Sequence, residues 1–308
     1  MEPTRRPMRE ATAFMLLALT ALCWAGNHIT GRWMAGVGEP VPPAGLSVVR
    51  WLLSALILIP FAWRDLATDW PRIKERPGPM LFLGLLGGAG FTVMQYYALR
   101  HTSAVNVGVM NSVCPALIIL AGLLIFRDRV WTTQLAGIAI SLFGVLVILM
   151  RGELSVLGNL AFSYGDVLAF LNMGVFAVYS ACLRLRPRIS GYSFLVAMSL
   201  VAAAGSLPVA MIETMSGEAL RPTWPTLVAV LYTAIFTSVV AYLSWNAGVA
   251  TLGPQRAGAF LHLVPLFSAV LSVGLLGEEP RIFHAVGLVL IVAGVSLAAR
   301  PPPSSLAA

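Results

Sequence analysis

Long apolar runs, separated by short polar or proline-bearing stretches, recur along the whole chain. They fall at 12–34, 45–63, 79–99, 103–125, 131–150, 165–184, 191–212, 226–249, 255–276 and 282–299. Roughly 20 mostly apolar residues let a helix cross about 30 Å of hydrocarbon, so the pattern predicts an all-α polytopic membrane protein with ten transmembrane helices. The breaks carry prolines: Pro40, Pro42 and Pro43 before the second run, Pro71, Pro77 and Pro79 before the third, Pro222 and Pro225 before the eighth. Proline sets a turn there and lacks the donor that a helix interior needs. Ser163-Tyr164-Gly165-Asp166 reads as a capping box opening the sixth run. Polar ends remain at 1–11 and 300–308, the latter a disordered tail by composition.

The runs repeat. Displaced by 150 positions, Gly108 meets Gly258, Pro115 meets Pro265, Gly137 meets Gly287 and Gly144 meets Gly294, while Asp128 meets the acid Glu278. Five landmarks at one offset, with apolar filling between them, point to one duplicated unit. The units are 12–150 and 165–299, joined by 151–164.

Composition agrees with the membrane reading. Hydrophobic residues make up 58% of the 308 and charged residues 11%, against roughly 25% charged in soluble domains. Of the 20 Lys and Arg, 14 fall on the N-terminal side of a ten-span arrangement and six on the other. Cytoplasmic loops carry the basic excess, which places both termini in the cytoplasm. The net charge of +7 is mostly this bias; anionic lipid is its expected partner, and nucleic acid has no domain to bind. The first apolar run is long enough to span and stay, so no cleaved leader is expected.

Five spans per unit is an odd number, so the second unit enters the membrane upside down. Two inverted five-helix repeats are a recurrent plan of secondary transporters, in which nearly equivalent halves open one site to either side. The residues also resemble a family. Trp24-Ala25-Gly26-Asn27, Tyr97-Ala98-Leu99 running into Thr102-Ser103-Ala104, Pro115, and Leu276-Gly277-Glu278 are similar to ten-span EamA-type permeases of the drug/metabolite transporter superfamily. The first unit departs from the leucine-glycine-glutamate ending and reads Phe126-Arg127-Asp128. The resemblance implies export of amino acids or similar small metabolites across the bacterial inner membrane without ATP. Uptake of the same solutes, or a receptor or structural role without flux, are the alternatives.

Polar groups inside spans are costly unless they face a cavity or a partner, so they are the candidates for substrate binding. These are Trp24, Asn27, Gln95, Asn111, Ser112, Asn172, Tyr179 and His262, with Pro115 and Pro265 as helix hinges. The offset pairs Ser112 with His262, each three residues before its proline. Asn and Ser in such helices also serve as interhelical glue, a reading that stays open for Asn106 and Asn172. His262 would be the best proton carrier if it faces the cavity; no acid lies deep in a span, so proton coupling and facilitated diffusion both stay open. Trp245 is expected in the interfacial aromatic belt. Arg50, about five residues into its span, is expected to snorkel to the interface, though a guanidinium fork also matches a carboxylate. Gly84 and Gly88, and Gly137/Gly144 with Gly287/Gly294, are expected to let helices approach closely.

No H-E-x-x-H, G-x-S-x-G or phosphate-binding Gly-x-x-x-x-Gly-Lys motif occurs. Cys23, Cys114 and Cys182 are widely spaced within spans and suggest neither metal site nor disulfide. The chain therefore reads as no enzyme and as needing no cofactor or metal.

Overall fold

The computed structural model describes residues 8–36, 41–102, 107, 111–150, 163–276 and 282–300. These are mostly helical, and no strand occurs among them. The first series is α1 (Glu10–Gly36), α2 (Pro43–Glu75), α3 (Pro77–His101), α4 (Cys114–Phe126) and α5 (Thr132–Leu149). The second is α6 (Tyr164–Cys182), α7 (Gly191–Met215), α8 (Trp224–Leu252), α9 (254–276) and α10 (Ile282–Ala298). By length and composition, six helices in the described residues can cross a membrane: those of α1, α2, α3, α6, α7 and α8. Shorter apolar helices lie in α4, α5 and α10. Large apolar side chains such as Phe61, Leu124 and Val289 point outward and are exposed, as suits a lipid-facing surface on which helices satisfy their own backbone.

Local signals explain several boundaries. The capping box forms as the sequence predicts: Ser163 Oγ accepts from Asp166 N, and Asp166 accepts from Ser163 N. Pro43 and Pro77 open α2 and α3 in the first turn, where a missing N–H costs nothing. Pro71 is a correction. It lies inside α2, which continues well past 63 to Glu75. That extension is amphipathic, burying Asp69 and Ile73 while exposing Trp70, and Asp69 Oδ2 accepts from Ser190 N at 2.9 Å. Tertiary contact outweighs the local breaking signal. Glu278, Gly108 and Asn106 lie outside the described residues, as do the 151–164 linker up to 162 and the C-terminal tail beyond Arg300.

The packed pairs have a common logic. α2 lies against α7, α5 against α10 and α4 against α9. α1 packs on α8 and α9, and α6 packs on α3 and α4. Exchanging the first five helices with the last five maps this set of pairs onto itself. The glycines add register: a Cβ on Gly137 would sit 2.6 Å from Gly294 O, and one on Gly144 would sit 3.0 Å from Gly287 O. Each glycine faces the offset mate of the other, as in a self-complementary antiparallel contact. The repeat mates Ser112 and His262 also touch, His262 Nε2 donating to Ser112 O at 2.8 Å. Gly88 lets α3 meet α7, since a Cβ there would lie 2.3 Å from Ala202 Cβ.

Two segments depart from α geometry. Leu85–Gly90 in α3 and Thr233–Val240 in α8 are π-helical, and they overlap when displaced by 150. A π turn closes one residue later than an α turn and is frequent at functional sites. In α9 a 3₁₀ turn, Ala259–His262, tightens the helix just before Pro265.

Candidate functional site

The helices enclose a cavity with about 660 Å³ of unfilled space, counted out to its open mouth. α1 contributes Trp24 and Asn27, α2 contributes Arg50, and α3 contributes Phe91, Thr92, Gln95 and Tyr96. Asn111 lies just ahead of α4 and Cys114 at its start; Met173 and Phe176 come from α6, Thr237 and Tyr242 from α8, and Leu261 and Val264 from α9. Both series therefore build the wall, whereas α5 and α10 contribute none of its described residues and pack on each other.

One wall is aromatic. Trp24 meets Phe176 edge-on at 5.3 Å between ring centroids and Trp245 at 5.6 Å; Phe91 meets Phe176 at 4.8 Å. Offset and edge-on contacts of this kind are favoured by the ring quadrupoles. The π segments hold the wall in place. Trp24 Nε1 donates to Thr237 O at 3.3 Å, and Tyr242 Oη donates to Gly87 O at 2.6 Å. Each widened turn thus offers a carbonyl to an aromatic donor of the cavity. Trp245 is a correction: it is buried in this cluster rather than set at an interface. Its depth along α8 suggests a belt position, but its face of the helix points inward.

The polar wall contains the cavity's charge. Arg50 is 4% exposed, so the snorkelling expectation fails: its guanidinium turns inward, across to α8 and α3. Nε donates to Ser238 Oγ at 2.9 Å and Nη1 to Tyr96 Oη at 3.2 Å, and the guanidinium lies 5.2 Å over the Trp51 ring. Tyr96 Oη in turn donates to Asn27 Oδ1 at 3.5 Å. Among the described residues, no Asp or Glu lines the cavity. Asn111 Oδ1 and Thr237 Oγ1, both buried atoms, make no hydrogen bond among the described residues.

The sequence candidates divide in two. Trp24, Asn27, Gln95 and Asn111 line the cavity. Asn172, Tyr179, Ser112 and His262 lie behind it, buried. Asn172 Nδ2 donates to Gln95 Oε1 at 2.7 Å, and Tyr179 Oη donates to Asn246 Oδ1 at 2.8 Å. The latter bond repeats the Tyr96–Asn27 bond with the residue types exchanged between helices, α6 to α8 against α3 to α1. His262 is held on both ring nitrogens, by Ser141 Oγ on α5 and by Ser112 O. Pro115 and Pro265 fall in the first turn of the helical segments Cys114–Phe126 and Leu263–Leu276. There a proline marks where a helix restarts rather than breaking one already formed.

One end of the molecule is tied by ion pairs. Arg256 donates from Nη1 and Nη2 to Glu10 at 2.9 and 3.2 Å, and from Nε to Ala299 O at 2.6 Å. Arg184 forms a bidentate pair with Asp128 at 2.9 and 2.6 Å, and Gln255 adds a bond at 3.4 Å. Asp128 is thus an anchor at the end of α4, just past Arg127 in the left-handed region at φ 55°.

Comparison with known proteins places this architecture. The EamA-like transporter family matches residues 11–150 and 163–300, and the chain belongs to it. It is 30% identical, over 92% of its length and 96% of the relative's, to an uncharacterized transporter of Archaeoglobus fulgidus. It is 27% identical to a probable terminal-alkyne amino-acid exporter of Streptantibioticus cattleyicolor, covering 95% of each. It is also 27% identical to the aromatic amino acid exporter YddG of Escherichia coli, covering 85% of this chain and 88% of that one. A solved crystal structure shares the fold, with a TM-score of 0.73 at 21% identity over 94% of this chain and 96% of the other. The protein is a multi-pass membrane transporter.

Proposed function

We propose that the protein is an ATP-independent exporter of amino acids or similar small metabolites in the bacterial inner membrane, working by alternating access. Its ten spans form two inverted five-helix repeats, 12–150 and 165–299, joined by an external linker at 151–164. The tails 1–11 and 300–308 are cytoplasmic. The observation that carries this reading is the cavity walled by both series, beneath helix pairs that are unchanged when the series are exchanged. Such halves can trade conformations and present one site to each side in turn. Trp24, Asn27, Gln95 and Asn111 touch the solute. Asn172 orients Gln95, Tyr179 fixes the second series, Ser112 and His262 lock the two series together, and Pro115 and Pro265 mark where α4 and α9 flex. The exporters among the relatives support an amino-acid substrate, and the aromatic wall suits an apolar body.

Counterflow into proteoliposomes with a labelled amino-acid panel tests this. Saturable exchange of at least one solute is expected, reduced tenfold or more by Trp24→Ala. Absence of flux across a panel widened to other metabolites would sink the transport reading.

A further inference from the structure

We propose that Arg50 is the carboxylate anchor of the cavity, and that the solute it selects is a monocarboxylate with an apolar or aromatic body, whether or not it carries an amino group. This rests on the cavity being the solute site.

A guanidinium presents five N–H donors in a planar fork and keeps its charge in a protein. Arg50 is 4% exposed and sits in the cavity wall. Its partners, Ser238 Oγ and Tyr96 Oη, are neutral and occupy Nε and one Nη1 donor. Among the described residues Arg50 joins no ion pair, although four other arginines do. A buried charge is tolerated when it is paired or when it meets a charged ligand. The donors left over, on Nη1 and Nη2, are of the number and geometry that a bidentate carboxylate takes.

The described wall offers no opposite charge. No Asp or Glu is among the described residues that line the cavity, so an ammonium group meets only neutral acceptors among them, such as Asn111 Oδ1. Arg50 attracts an anion and repels a free amine, and none of the described lining residues compensates the amine. Trp24, Phe91 and Phe176 then take the apolar body. The backbone is built around this arrangement: Ser238, which steers Nε, lies in the π segment of α8.

Three probes of one shape separate the charges: 3-phenylpropionate (carboxylate only), phenylalanine (both groups) and phenethylamine (amine only). Calorimetric titration of purified wild type in detergent is expected to detect the two carboxylates, with phenethylamine at least tenfold weaker. Arg50→Gln should weaken both carboxylates tenfold or more and narrow the gap to phenethylamine; Arg50→Lys should recover part of the loss. A monodisperse Arg50→Gln protein that binds the carboxylates like wild type overturns the proposal. So does wild type binding phenethylamine as tightly as 3-phenylpropionate, or binding neither carboxylate. Flux in proteoliposomes keeps the two readings apart. Carboxylate binding lost in Arg50→Gln, with no flux of any solute, leaves the anchor standing and removes transport. Flux of a solute without carboxylate, combined with no carboxylate binding, removes the anchor and leaves transport.

Discussion

Arg50 and Arg256 are the same residue at nearly the same burial, 4% and 9% exposed, and the protein treats them in opposite ways. Arg256 spends its fork on the Glu10 carboxylate and its Nε on Ala299 O, tying the start of α1 to the end of α10. Arg50 has two hydroxyls and an aromatic face. His262 and Asn111 repeat the contrast without charge: His262 is bonded at both nitrogens, while Asn111 Oδ1 is bonded by none of the described residues. Polarity is shared by both sets. In these two pairs the fold completes the bonding of Arg256 and His262 and leaves capacity on Arg50 and Asn111, although Asn172 Oδ1 and Asn246 Nδ2, behind the cavity, are also left unbonded.

The contrast is broken most severely where the closed set is most tightly packed. A Cβ on Gly137 would lie 2.4 Å from Ala298 N and 2.6 Å from Gly294 O, both backbone atoms that a rotamer change cannot move. Gly137→Ala is therefore expected to lower stability by about 2–3 kcal/mol, the upper part of the range for overpacking. Gly174→Ala in α6, where a Cβ meets nothing within 4 Å, should be neutral or gain up to about 1 kcal/mol from helix propensity. Thermal unfolding in one detergent checks both signs together. Equal behaviour of the two variants would mean that α5 and α10 are not packed backbone to backbone.

His262→Ala comes next, and it sharpens the comparison because it is a polar residue at cavity depth. It removes bonds to Ser141 on α5 and to Ser112 ahead of α4. Interhelical hydrogen bonds in membranes average about 0.6 kcal/mol each, so a loss of about 1–2 kcal/mol is expected. The relative affinities for phenylalanine and 3-phenylpropionate should stay within twofold of wild type. A collapse of affinity with stability unchanged would move His262 from the closed set to the open one.

The same contrast explains what could be read from the chain alone. The glycine landmarks and the Ser112–His262 pairing are legible because a fixed offset survives in apolar sequence; Ser112 meets its own offset mate, and the glycines meet crosswise, Gly137 with Gly294 and Gly144 with Gly287. Arg50 and Trp245 mislead because their distance from a helix end is readable, whereas the face they occupy is not. Apolar residues surround both, and a helix that is apolar all round carries no stripe to mark its inner side. The π segments are invisible for a related reason: the extra residue in the turn is stabilised by donors from elsewhere, Trp24 on Thr237 O and Tyr242 on Gly87 O. Pro71 in α2 shows a local breaker overruled by contacts that only the folded chain supplies.

The smallest expected effect tests the closed set at its edge. Glu10 is the partner that completes Arg256, yet its side chain is 54% exposed, and exposed ion pairs contribute about 0–1 kcal/mol. Glu10→Gln keeps the shape and one acceptor, so stability should fall by no more than about 1 kcal/mol. The informative readout is exchange rate. If the Glu10–Arg256 pair holds one end shut, weakening it should change the rate of counterflow by up to severalfold while leaving the affinity for 3-phenylpropionate alone. Arg256→Gln should behave alike on rate but cost more stability, since Ala299 O then loses a charged donor at 2.6 Å. A shift in affinity without a shift in rate would instead couple this end to the cavity, and the separation of the two arginines into closed and open sets would fail.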